Sequence, residues 1–323
     1  MADKYIYAVA RIRALEMSLF SQATIEQLIG MDTYDKALSF IREKGWGDAD
    51  SPKSGADDIL DAETAKTWAS VAEMVDDMSV FDVIRIPDLF HNLKAAIKSV
   101  VAGEPPAKVF FDNAQIDGEH MTAIVREKAW ERLPENMRAC AALAWDTMVH
   151  SGDGQMCDAI IDRGALMAIE DAAKKADDPL LKDYAQTTVA VANIKIAVRA
   201  AKTGKSKDFM KRAMVPCDTL NIERLQAAAI AGMEEIQRYL SETSYAGGAE
   251  ALATSGSAFE RWCDNRIIET IKPQKYNPFT IGPVVAYILA RFNEIKTVRI
   301  ILTCKLNNLP EEAIRERVRE MYV

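Results

Sequence analysis

The sequence predicts an all-α protein built from three similar helical units. Three observations lead there. Ala, Met and Glu are plentiful, while Gly (15) and Pro (11) are few for 323 residues, and such a composition favours helix. Apolar positions recur at helical spacing along most of the chain. One short pattern also occurs three times, as Asn92-Leu93-Lys94-Ala95-Ala96-Ile97-Lys98, Asn193-Ile194-Lys195-Ile196-Ala197-Val198-Arg199 and Asn293-Glu294-Ile295-Lys296-Thr297-Val298-Arg299. Each copy is Asn, five residues ending in Val or Ile, then a basic residue, and the starts lie 101 and 100 residues apart. A near-constant period within one chain is architectural information. It divides the chain approximately into helical repeats at 1–110, 111–213 and 214–323, related by a pseudo-threefold axis and each large enough to bury a core.

Taken in order, Asp3 can cap a first helix from about Lys4 to Leu19, with Ala8, Ile12, Leu15 and Leu19 as its apolar stripe. Thr24 and Gln27 make a capping-box pattern for a second helix ending at Gly30, and Asp32 can start a third that runs to Lys44. Residues 46–58 read as a loop. Trp68, Val71, Val75 and Met78 then mark a helix from about Asp61 to Met78. Val80 to Ile86 is short and apolar, a connector or a short strand, and Pro87 suits the first turn of the helix that follows. That helix carries Leu89, Phe90, Leu93, Ile97, Val100 and Val101 on one face and stops at Gly103.

After a connector at 104–112, helical patterns run from His120 to Leu133, from Pro134 to Met148, and on to about Ala176. Asp178-Pro179 opens a long helix lined by Tyr184, Thr188, Val191, Ile194 and Val198 and closed by Gly204. Gly204 follows Arg199 by five residues, as Gly103 follows Lys98. Residues 202–218 read as basic and irregular, Thr219–Leu240 as helix, 241–257 as loop and Phe259–Thr270 as a shorter helix. A Pro-rich turn at 273–278 leads to the third long helix, which begins near Gly282-Pro283 with Val285, Ile288, Leu289, Phe292, Ile295 and Leu302 as its stripe. Asn308 and Glu311 form a cap pair for a last helix faced by Ile314, Val318 and Met321.

Composition narrows the functional classes. Hydrophobic residues make up 49% and charged residues 27%, an ordinary globular balance. No segment approaches the roughly 18 uninterrupted apolar residues of a membrane span, and Met1-Ala2-Asp3-Lys4-Tyr5 lacks a signal-peptide core. A cytosolic chain, or one peripheral to a membrane on its cytoplasmic face, is expected. The net charge of −8 counts against nucleic acid and against anionic lipid. The five cysteines are scattered, odd in number and without a Cys-x-x-Cys pair, so reduced thiols within the core are expected. No cofactor or metal set is indicated.

Two motifs resemble chemistry without meeting its requirements. Gly204-Lys205-Ser206 looks like the end of a phosphate-binding loop, but Arg199 stands where the earlier Gly is needed and a helix precedes it, so no direct nucleotide binding is expected. His91, His120 and His150 are the only histidines, and none belongs to a metal or nucleophile motif. The repeat-defining residues Asn92, Lys98, Asn193, Arg199, Asn293 and Arg299 allow two roles. Asn and basic residue lie about 240° apart on a helix, so they do not form a side-by-side pair. In one role, each Asn bonds a neighbouring backbone and each basic residue anchors a carboxylate within its domain. In the other, one of the two lines a shared inner surface.

Ala286-Tyr287-Ile288-Leu289-Ala290-Arg291-Phe292-Asn293 through Arg299, then Lys305-Leu306-Asn307-Asn308-Leu309-Pro310-Glu311-Glu312-Ala313-Ile314-Arg315-Glu316-Arg317, resemble the C-terminal end of the C subunit of V/A-type (archaeal-type) ATPases, which is related to the d subunit of the vacuolar ATPase. The opening Tyr5-Ile6-Tyr7-Ala8-Val9-Ala10-Arg11-Ile12-Arg13-Ala14-Leu15-Glu16 and the helices around Asn92 and Asn193 look like the same family. The resemblance implies a funnel-like, three-domain, non-catalytic component of the central stalk. It would join the D and F subunits of the shaft to the membrane proteolipid ring and transmit torque for ATP-linked proton or sodium transport. Two other classes stand beside it: a soluble helical-repeat scaffold that binds proteins, and an enzyme with a site assembled from scattered residues.

Overall fold

A computed structural model describes residues 5–48, 55–103, 109–112 and 114–323. Among them there is no strand, and sixteen α-helices follow one another. The first eight are α1 (Ile6–Glu16), α2 (Gln22–Ile29), α3 (Tyr34–Glu43), α4 (Ala56–Ala72), α5 (Asp82–Ala102), α6 (Gly118–Glu127), α7 (Glu135–Ser151) and α8 (Gly154–Lys175). The others are α9 (Pro179–Thr203), α10 (Lys207–Ala213), α11 (Ile222–Ala231), α12 (Met233–Ser241), α13 (Ala246–Thr254), α14 (Gly256–Ile271), α15 (Gly282–Leu306) and α16 (Glu311–Arg317). The all-α class read from composition and periodicity is the observed one.

The chain divides into two compact units, Met1–Met78 with Gly247–Val323, and Ser79–Ala246. Unit 1 is built around α15, which packs against α1, α2, α3, α4, α14 and α16. Every residue from Gly282 to Arg291 is buried, so α15 is apolar nearly all round, as a helix at the centre of a unit must be. Phe20, Ile25, Ile41, Trp46 and Ile59 meet Val298 and Ile301 in one core. In unit 2, α5 packs on α6, α7 and α8, while α8 and α11 both pack on α9.

The helix ends follow local chemistry. Gly103, Gly152 and Gly204 close α5, α7 and α9 with φ of 68°, 64° and 63°, left-handed values that only Gly adopts without strain. Asp178 caps α9 by accepting the Leu180 N–H at 2.8 Å, which satisfies an otherwise orphaned donor.

Elsewhere tertiary packing overrules the local signal. Asp3 lies outside the described residues. Helix α2 is capped by Ser21, which accepts the Thr24 N–H, and α3 by Thr33 rather than Asp32. Asp32 instead pairs with Lys36 one turn on. Helix α4 begins at Ala56, ahead of the expected Asp61, because Ile59 and Leu60 are core residues. No strand forms at 80–86. A 3-10 turn (Met78–Phe81) runs into α5, which starts at Asp82, so Pro87 sits inside the helix. Buried Val83, Ile84 and Ile86 offset the hydrogen bond that Pro87 cannot donate.

The expected helix from His120 to Leu133 ends at Glu127, where Lys128 turns left-handed and a 3-10 turn follows. The irregular 202–218 segment contains α10, whose Met210 and Ala213 are buried. Gly232, at φ 124°, splits the expected 219–240 helix into α11 and α12. The 241–257 loop holds α13, whose glycines serve close approach rather than a turn. A Cβ on Gly248 would stand 2.8 Å from the Trp262 ring of α14. At the C-terminus, Asn308 is left-handed rather than a cap, and α16 follows Pro310. Val318 and Met321 are buried beyond the end of that helix.

Candidate functional site

Each Asn of the threefold pattern sits in the body of a long helix and holds the backbone of a non-helical segment further along the chain. Asn92 on α5 is fully buried. Its Nδ2 donates to the Phe111 and Ile116 carbonyls at 3.0 and 3.1 Å, and its Oδ1 accepts the Phe111 N–H at 2.8 Å. Asn193 on α9, also fully buried, donates to the Val215 carbonyl at 2.9 Å and accepts the Val215 N–H at 3.1 Å. Asn293 on α15 donates to the Glu320 carbonyl at 2.8 Å, while the Glu320 N–H goes to Asn265 of α14 at 2.9 Å. A carboxamide suits this task because it presents a donor and an acceptor side by side, as a backbone does. These segments lie where no ladder could satisfy them, and a buried, unpaired peptide group costs about 1–3 kcal/mol.

The basic partners do less. Lys98 pairs with Asp158 of α8 at 2.8 Å, and Arg299 pairs with Asp57 and, at 3.6 Å, with Asp61 of α4. Both sets are partly exposed, so each contributes about 0–1 kcal/mol. Arg199 is exposed and has no acidic partner among the described residues. The two members of each pattern thus point apart: the Asn into the core, the basic residue to the surface or to a neighbouring helix.

The structure adds a set of buried charges that the pattern did not single out. Arg291 and Glu294 of α15 pair at 3.1 Å with only 8% and 2% of their side chains exposed. The other arm of Arg291 donates to Ser18 Oγ at 3.0 Å, and Glu294 accepts the Phe20 N–H at 2.9 Å. The guanidinium lies over the Trp46 ring, 5.7 Å from its centroid, and that ring stacks on Phe20. The Gly47 N–H next to Trp46 donates to buried Glu63 of α4 at 3.0 Å. This network ties the break between α1 and α2, the turn after α3, and α4 to one stretch of α15. Burial pushes the Glu294 carboxyl up to about 7, against the downward pull of Arg291 and of the Phe20 N–H. Burial also opposes the Arg291 charge, but Glu294 and Tyr287 outweigh it and raise its pKa. A sequence signal existed: Tyr287, Arg291, Glu294 and Val298 follow at helical spacing, placing two charges on an apolar stripe.

In unit 2, Asp88 of α5 is largely buried, and burial lifts its carboxyl to about 6 despite His91 and Arg85. A carboxyl raised above its unfolded value favours the fold most at low pH and loses that contribution as pH climbs through its folded pKa. Stability should therefore fall between about pH 4 and 6 on this account. Asp88→Asn is expected to flatten that slope and to stabilise unit 2 at pH 7 by about 2 kcal/mol. Urea titrations of both proteins at pH 4, 5, 6 and 7 measure the difference.

Among the described residues, no catalytic constellation is gathered. The histidines bond locally, His91 to the Val109 carbonyl, His120 to Asp117 and His150 to the Asp146 carbonyl. Gly204 is a helix stop, and Ser206 caps α10 by accepting the Phe209 N–H. Among the described residues, no group of three His, Cys, Asp or Glu could hold a metal ion, and no helix is long and apolar enough to cross a membrane.

Comparison with known proteins agrees along nearly the whole chain. The family model described as ATP synthase (C/AC39) subunit matches residues 8–317. The C subunit of the V-type sodium ATPase of Enterococcus hirae is 20% identical over 317 residues, covering 96% of this chain and 97% of the relative. The C subunit of the V-type ATP synthase of Thermus thermophilus is 23% identical over 344 residues, covering 98% and 99%. The C subunit of the A-type ATP synthase of Methanocaldococcus jannaschii is 21% identical over 340 residues, covering 96% and 85%.

Proposed function

The chain belongs to the ATP synthase (C/AC39) subunit family, and on that premise we propose that it is the non-catalytic coupling element of a rotary V/A-type ATPase. It joins the D and F subunits of the central stalk to the membrane proteolipid ring, lies peripherally at the cytoplasmic face, and carries torque for ATP-linked proton or sodium transport. The three helical repeats are part of this proposal: one helix-and-clamp unit used three times beneath a shaft and above a ring.

The observation that supports it best is the repeated cross-bracing. A coupling element needs stiffness more than chemistry. Each long helix bonds through a buried Asn to a segment 19, 22 or 27 residues away. The Asn92 and Asn293 clamps are part-buried, while the Asn193 clamp on Val215 is buried, so sliding there would leave buried polar groups unpaired. The charges of α15 are sealed from water in the same way.

The test is direct. Purified protein should capture the D–F complex, and separately the detergent-solubilised proteolipid ring, at both low and physiological salt. Failure to bind either one overturns the reading. Capture of unrelated helical peptides with equal affinity would favour a general protein-binding scaffold instead.

A further inference from the structure

Unit 2 has an open cleft of about 620 Å³, walled by Met214, Val215, Pro216, Leu220 and Ile222, with Arg163, Lys207 and Lys211 around it. Its charge is lopsided. Lys207 and Lys211 stand four residues apart on α10, and neither has an acidic partner among the described residues. Glu223 is the one acid among the described residues of the lining. The cleft also receives the N-terminus of α11, where the Asn221 side chain caps the Arg224 N–H and the earlier Ile222 and Glu223 N–H groups remain unspent. Such groups favour an anion.

A second and independent observation comes from Gln226. This side chain is only 5% exposed, lines the cleft, and makes no hydrogen bond to any described residue. Its amide is not among the fully buried unpaired groups, so its polar atoms open onto the cleft. No described neighbour bonds it, whereas each Asn of the three long helices bonds a backbone group. The cleft is the opening from which a partner for it can come.

We propose that this cleft is a binding site for a small amphiphilic anion, with a phosphate or carboxylate head and a short hydrocarbon body. Lys207 and Lys211 receive the head, assisted by the α11 N-terminus, and the Gln226 amide donates to it or to the atom next to it. The wall from Met214 to Ile222 covers the hydrocarbon, in the mixture of apolar surface and few polar groups that small-molecule sites have. Arg163 frames the entrance, since its Nε already donates to the Met214 carbonyl at 3.2 Å. The site is independent of the torque-carrying role.

Cys217, a partly exposed free thiol in the lining, gives a local readout. The full-length protein is titrated with monomeric octyl phosphate, inorganic phosphate, octanol or octyltrimethylammonium, and alkylation of Cys217 is followed by peptide mass spectrometry. Octyl phosphate is expected to slow Cys217 alkylation at least fivefold while Cys140 is unaffected. Inorganic phosphate and octanol should each bind at least tenfold more weakly. The double variant K207A/K211A, at exposed positions, should weaken octyl phosphate at least tenfold, and Gln226→Leu severalfold. Equal protection by octyltrimethylammonium, or none by octyl phosphate, overturns the proposal. So does inorganic phosphate binding as tightly as octyl phosphate, or binding only to phosphatidylglycerol vesicles and not to the monomeric amphiphile. The wild-type measurement stands on its own should a variant fold poorly.

Discussion

Arg291→Met is expected to destabilise unit 1 by about 3–5 kcal/mol, because it leaves the Glu294 carboxylate buried with only the Phe20 N–H for company. The same change removes the cation from the face of Trp46 and the donor from Ser18. The loss should depend on pH. Burial already lifts Glu294 to about 7, and removal of Arg291 takes away its strongest downward pull, so the lone carboxyl can escape the penalty by holding a proton. A group whose folded pKa lies above its unfolded one loses stability as pH rises. The variant should therefore lose more at pH 8 than at pH 6. Arg291→Met combined with Glu294→Leu should return to within about 1 kcal/mol of the wild type, since apolar packing often replaces a buried pair at little cost. Urea unfolding at the two pH values, with hydrogen exchange at the Phe20 amide as a local reporter, separates these outcomes. A single variant within 1 kcal/mol of wild type at both pH values would show that water reaches the pair.

Asn193→Leu should cost about 2–4 kcal/mol, since it keeps the branched shape of the side chain but abandons both the N–H and the carbonyl of Val215 inside the core. The Val215 amide, now unpaired, should exchange at least a hundredfold faster. Asn293→Leu should cost about half as much. It loses one hydrogen bond, while Asn265 continues to hold the Glu320 N–H. An equal loss at both positions would mean that the cost lies in packing rather than in the clamped backbone.

These residues show what a sequence exposes and what it hides. The Asn positions could be found because the pattern repeats, and the helix stops at Gly103 and Gly204 could be read because their cause is local. The grasped segments at Phe111, Val215 and Glu320 could not. A peptide group carries no side-chain signature, and only the fold brings it to the Asn. The α15 charges were visible as an interruption of an apolar stripe, but their partners come from Ser18 and Phe20, more than 270 residues earlier. Helix α13 was hidden for a similar reason: its glycines look like a flexible loop until Trp262 is seen lying against them. Pro87 was read as a helix start because the buried positions before it count only once the core is known.

The split composition of unit 1 constrains how the protein is made. Its first 78 residues leave the ribosome long before α15, the helix they surround, and about 170 residues of unit 2 are translated in between. With the residues up to the end of α15 added, at roughly 5–20 residues per second that wait lasts on the order of 10–45 s. During this interval Ile25, Leu28 and Ile41 can pack on one another but lack Val298 and Ile301 of α15 to complete their core, while unit 2, continuous in sequence, can fold as it emerges. Translation halted before about residue 300 should therefore leave the opening segment open to protease while unit 2 resists.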